Sequence, residues 1–112
     1  MIFRQLFDGK SSTYTYLLAD ETTGQAVIID PVFEQVGRDL ALIKELGLNL
    51  AYALDTHCHA DHVTASWLLK QKSDCTIACA DVIKAKNTDW GLKDGDTLKV
   101  GDIELEVRAT PG

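Results

Sequence analysis

A chain of 112 residues with 46% apolar content can bury one core and makes one domain at most. Its formal net charge of −6 and pI near 4.8 argue against a nucleic-acid surface, which needs a basic stripe. No run approaches the roughly 18 apolar residues of a membrane span, and Met1-Ile2-Phe3-Arg4-Gln5-Leu6 lacks the charged-then-apolar layout of a signal peptide. A soluble, cytoplasmic protein is therefore expected, with no nucleic acid and no membrane among its partners.

The first strand is expected over residues 2–7, ended by Asp8-Gly9-Lys10-Ser11-Ser12. Tyr14 to Ala19 and Ala26 to Ile29 read as two strands of a hairpin closed by Asp20-Glu21-Thr22-Thr23-Gly24. The second, Ala26-Val27-Ile28-Ile29, is apolar on both faces, as a strand covered on both sides must be. It stops at Asp30-Pro31, because proline has no N–H for the ladder. Asp30 is either a turn former or a carboxylate that orients a site at the strand's end.

Val36, Leu40, Ile43 and Leu46 recur at helical spacing, with Arg38, Asp39, Lys44 and Glu45 mostly off that face. This predicts a helix over about 33–46 with Gly47 as its stop. Leu48 to Leu54 reads as a short buried strand, Val63 to Lys72 as a second helix with Trp67 in the core, and Thr76 to Ala80 as another strand. Asp81 to Trp90 is mixed and polar, a loop with a helical turn. Leu98 and Val100, then Ile103, Leu105 and Val107, alternate with charged residues about Gly101-Asp102. That pattern predicts a two-residue hairpin of type II′, with Lys99 opposite Glu104 and Leu98 opposite Leu105.

The chemistry concentrates in Thr56-His57-Cys58-His59-Ala60-Asp61-His62, which holds all three histidines of the chain. His57 and His59 are two apart, so extended backbone sends both imidazoles from one face with Cα atoms about 6–7 Å apart. Two imidazoles that close can clamp one metal ion. Asp61 and His62 follow at another angle and could face a second ion or a metal-bound water, which makes Asp61 the candidate catalytic residue. Asp61 is also a good N-cap for the helix that follows. Imidazole with carboxylate suits zinc, iron or manganese without choosing among them.

Cys58, between two histidines, points the opposite way in extended backbone and reads as a buried thiol beneath the metal loop. Cys75 and Cys79 in one strand would hold their Cα atoms about 13 Å apart, beyond disulfide reach. An odd count of three cysteines with no pairing framework fits a reducing compartment.

Strands and helices alternating around an H-x-H-x-D-H loop resemble the metallo-β-lactamase fold, an α/β architecture in which an αβ/βα sandwich carries its helices outside two sheets. His57-Cys58-His59-Ala60-Asp61-His62-Val63-Thr64-Ala65-Ser66, with Asp94-Gly95-Asp96 and Arg108-Ala109-Thr110-Pro111-Gly112, is similar to the ETHE1-type persulfide dioxygenases. The resemblance to glyoxalase II thioester hydrolases is more distant. Family members continue past the Thr-Pro-Gly with a further metal histidine, a metal aspartate and glutathione-binding residues. The resemblance thus implies that residues 1–112 are the N-terminal half of a single domain, a mixed β-sheet with flanking helices.

It also implies a function. The full-length protein is expected to be an iron-dependent dioxygenase of a glutathione persulfide, with the 112-residue chain catalytically incomplete. His57 corresponds to an iron ligand of the dioxygenases, while His59, Asp61 and His62 match positions that bind metal directly in two-metal hydrolases. The cofactor is Fe(II), with Zn(II) as the alternative, and the partner is a small glutathione-derived molecule. A glyoxalase II-like zinc thioester hydrolase, a nuclease of the same fold and a non-catalytic fragment are the competing readings. Half a sandwich leaves the face of Ala26–Ile29, Leu50–Leu54 and Leu98/Val100/Leu105/Val107 uncovered, so a homo-oligomer is expected. No residue stands out as substrate-binding.

Overall fold

Among the described residues, eight strands and two α-helices follow one another in an order that leaves β3 covered on both sides. The computed structural model describes residues 1–10, 13–55, 65–73, 75–80, 90–92 and 96–106. β1 (Ile2–Asp8), β2 (Thr13–Ala19) and β3 (Gln25–Ile29) form an antiparallel meander. A 3₁₀ turn (Phe33–Gln35) leads into α1 (Val36–Glu45), and the chain returns as β4 (Asn49–Asp55), parallel to β3. α2 (Ala65–Ser73) then precedes β5 (Thr76–Ala80) and β6 (Trp90–Leu92), both added in parallel. The six strands lie in sequence order in one sheet, and β7 (Thr97–Val100) with β8 (Ile103–Glu106) forms a second, antiparallel sheet.

Strand alternation sorts the side chains into two cores. On one face Leu17, Ala19, Ala26 and Ile28 meet Val36 and Ile43 of α1 and Leu69 of α2. On the other Val27 packs against Leu98 and Val100 of the hairpin, flanked by half-buried Leu18, Ile29, Tyr52, Leu54 and Leu105. In β4 both Leu50 and Ala53 reach the helix side although three residues apart. The register slips there, Ala26 pairing with Leu50 and Val27 with Tyr52, so the extra residue Ala51 resets the alternation. Beyond the hairpin, Phe3, Phe7 and Tyr14 remain about half exposed, with Phe7 and Tyr14 stacked across the strands at 4.9 Å.

Most elements lie where the sequence puts them. The helix stop is a Schellman motif: Gly47, at φ 69°, donates to Lys44 O, and Leu48 N–H reaches Ile43 O, both at 3.0 Å. The β7–β8 register matches the expectation, Leu98 with Leu105 and Lys99 with Glu104. Gly101 has φ 60° while Asp102 does not share the positive region, which fits a type II′ turn.

Three expectations change. Trp90 opens β6, paired to Ala78, and does not close a loop. Asp39 is fully buried, since it sits three residues after Val36 and so within the inward stripe of α1. Desolvation raises its carboxyl above the ordinary value despite Arg38 Nε at 3.1 Å. The face expected to be bare is partly covered, because Leu98 and Val100 are buried against Val27. The loop expected from Asp81, over residues 81–89, the expected start of the second helix and the side chain of Trp67 lie outside the described residues.

The two sheets are tied by one carboxylate. Asp20, at the β2–β3 turn, accepts the N–H of Asp102 at 2.7 Å, the N–H of Thr22 at 3.0 Å and the hydroxyl of Thr23 at 3.0 Å. Gly101 N–H donates to Gln25 Oε1 at 3.1 Å. A Cβ on Gly101 would run into Thr23 Oγ1 and Asp20 Oδ2, so this glycine is required by close approach as well as by φ. Gly101→Ala is expected to cost about 2–4 kcal/mol, combining strain with loss of these hydrogen bonds. Gly37→Ala, exposed on α1 with open space around it, should instead gain about 0.5–1 kcal/mol. Urea denaturation of both variants checks the contrast.

The buried carboxylates also predict opposite pH dependences. The Asp102 N–H, ahead of a smaller opposing desolvation, holds Asp20 below its ordinary value of 3.8. Its stabilisation is present above that value and fades as pH falls through the depressed one. Asp39 is raised, so the folded state is relatively favoured below 3.8 and loses that advantage as pH rises through the elevated value. Between about pH 3 and about pH 6 the deficit of Asp20→Asn should therefore grow, while Asp39→Asn should become progressively more favourable relative to the parent chain. Denaturation midpoints across that range measure both.

Candidate metal centre

Parallel pairing brings the carboxyl ends of β3, β4 and β5 to one edge of the sheet. Ile29 lies beside Leu54, Leu54 beside Ala78, and Asp55 beside Cys79. Crevices outside such ends are where open α/β sheets bind ligands. β4 runs directly from this edge into the histidine motif, and α2 follows it. His57, Cys58, His59, Asp61 and His62 all lie outside the described residues, so their expected roles rest on the sequence. Among the described residues, no three His, Cys, Asp or Glu side chains gather as metal ligands.

Asp30 is the expected site residue that the structure does describe. It ends β3 at this edge and is buried, 9% exposed. Its φ of 54° is the one positive value outside glycine among the described residues. Such a conformation is uncommon for a side-chain-bearing residue, though aspartate tolerates it better than most. Two neighbours hold the backbone in place: Asp30 N–H donates to Leu54 O of β4, and Thr15 Oγ1 of β2 donates to Asp30 O, each at 2.8 Å. Asp30 is thus a turn former, and its place beside the end of β4 is also one from which a carboxylate could orient the motif. Thr15 carried no signal in the sequence, because its partner is 15 residues away. Cys75 is buried just before β5.

The Metallo-beta-lactamase superfamily matches this chain over residues 8–111. The chain belongs to that superfamily. The crystal structure of ETHE1 from Myxococcus xanthus superposes with a TM-score of 0.91 at 52% identity, over 100% of this chain and 49% of that one. The mitochondrial persulfide dioxygenase ETHE1 of Bos taurus is 47% identical over 100% of this chain and 44% of its own length. A hydroxyacylglutathione hydrolase of Mesorhizobium japonicum is 37% identical over 92% of this chain and 40% of its own. The chain therefore spans less than half the length of these curated relatives. The superfamily fold and the likeness to the persulfide dioxygenase branch agree with what the motif implied, and the superfamily is a metal-binding one.

Proposed function

We propose that this chain is the N-terminal half of the catalytic domain of an iron-dependent glutathione persulfide dioxygenase and is catalytically incomplete by itself. The observation that carries the reading is likeness to persulfide dioxygenases along the whole of the chain, motif included. The donor set fits a metal: three imidazoles and a carboxylate within six positions, following in sequence a strand whose end lies at the carboxyl edge of the parallel part of the sheet. His57 is the proposed ligand, with His59, Asp61 and His62 beside it and Asp30 and Cys58 supporting the loop. Fe(II), when bound, supplies open coordination positions for a substrate sulfur and O₂. Asp61 is the residue to which we assign proton handling: with a metal bound, its carboxylate would be the group available to accept a proton beside the ion.

The likeness to a hydroxyacylglutathione hydrolase favours a second reading, a zinc-type hydrolase of a glutathione thioester. A protein extended through the next histidines separates the two. The dioxygenase reading expects about one iron per chain and oxygen consumption with glutathione persulfide, whereas two metals with thioester cleavage would overturn it. The 112-residue chain should hold Fe(II) or Zn(II) only weakly, because a catalytic site normally takes three protein ligands. Submicromolar, stoichiometric binding in a calorimetric titration would contradict this.

A cytoplasmic location is proposed with it, on the support of three cysteines, an odd count with no pairing framework. We also propose self-association of this chain through the sheet face that carries Phe3, Phe7 and Tyr14 beside half-buried Tyr52 and Leu54. A two-fold contact of about 800 Å² per partner would be a standard interface. Light scattering coupled to size exclusion should find a dimer or larger species, and a stable monomer at low micromolar concentration sinks the idea.

A further inference from the structure

We infer that Thr15 is a positioning residue for Asp30, fixing its backbone in the left-handed conformation and so setting how its carboxylate leaves the sheet edge. The functional weight of this assignment rests on the metal reading above, but its geometry stands alone. β2 and β3 pair regularly as far as Tyr16 and Ile29. One residue further, the positive φ of Asp30 takes the chain out of strand conformation. Thr15 is the next residue of β2 and is completely buried, alternating with Leu17 and Ala19 onto the helix-covered face. Its hydroxyl donates to the Asp30 carbonyl at 2.8 Å.

Two features point to positioning over general packing. The bond is made by a side chain to the main chain of the one residue whose conformation is unusual among those described. The opposite side of the same residue is held by β4, the strand that runs into the histidine motif. Asp30 is therefore clamped between β2 and β4, and the hydroxyl is the half of the clamp that a single substitution can remove. Valine keeps the branched shape of threonine and replaces the hydroxyl with a methyl group. Serine keeps the donor and loses a methyl group.

The test uses the 112-residue chain and its Thr15→Val and Thr15→Ser variants, labelled for NMR. The Asp30 Cα and Cβ shifts report the left-handed conformation, and a Co(II) titration into the millimolar range, read on the imidazole resonances, reports metal affinity. Thr15→Val should move the Asp30 shifts away from left-handed values and weaken Co(II) binding about tenfold or more. Thr15→Ser should restore both to about the parent values, within twofold. Where Thr15→Val does not fold, Thr15→Ala is compared with Thr15→Ser in the same way. Unchanged Asp30 shifts in the variant lacking the hydroxyl overturn the inference. Loss of those shifts with unaltered Co(II) affinity overturns its link to the site. Loss of those shifts in a chain whose parent shows no Co(II) binding upholds the Thr15–Asp30 clamp and counts against the metal reading instead.

Discussion

Strand β3 has no solvent face, and this decides what can lie next to it. Ala26 and Ile28 are closed over by the helix layer while Val27 is closed over by the hairpin, all at 0% exposure. Burying Val27 and Ile28 contributes on the order of 1.5–3 kcal/mol each, as an upper estimate. With both faces covered, each main-chain polar group of β3 must find its partner within the sheet. It does so antiparallel to β2 on one side and parallel to β4 on the other. The parallel neighbour needs a crossover, which is why α1 lies where it does and why the histidine motif follows a strand that ends beside Asp30.

The two ends of β3 consequently do different work. At its N-terminal end the Asp20 carboxylate and the Gln25 side chain accept N–H groups from the β7–β8 turn and lock the second sheet onto the first. At its C-terminal end Asp30 leaves the ladder beside β4. Among the described residues, these two polar ties between the layers lie at the opposite end of β3 from the edge that leads to the motif.

What the sequence made legible was local. The helix stop at Gly47, the Gly101-Asp102 turn and the Leu98/Leu105 register each depend on residues within about six positions, and each is as expected. The features that escaped depend on distant partners. Strand β6 is only three residues long and owes its existence to pairing with β5, so no periodicity could announce it. Asp39 looks like a surface charge until α1 is seated, and Asp20 looks like any turn residue until Asp102, 82 residues later, donates to it. Thr15 differs from its strand neighbours only in having a hydroxyl near Asp30. For the candidate metal centre, the expected ligands lie outside the described residues, and the structure adds the sheet edge at which β4 ends just before them.

The choice of residue at the positive-φ positions separates the two ends further. Where the chain merely turns, glycine supplies the conformation: Gly24 at φ 76°, Gly47 at φ 69° and Gly101 at φ 60°. At the end of β3, φ is 54° and the residue is aspartate. A glycine there would relieve a strain of roughly 1–2 kcal/mol, reduced somewhat by the tolerance of aspartate. Turn geometry alone therefore gives no reason to prefer a carboxylate at this position. Under the proposed metal reading a carboxylate beside the end of β4 would give one, because imidazole ligands need a partner that fixes their orientation and tautomer. Strain of this kind persists only where the surroundings over-determine it. The bonds from Thr15 on one side and to Leu54 on the other meet that requirement.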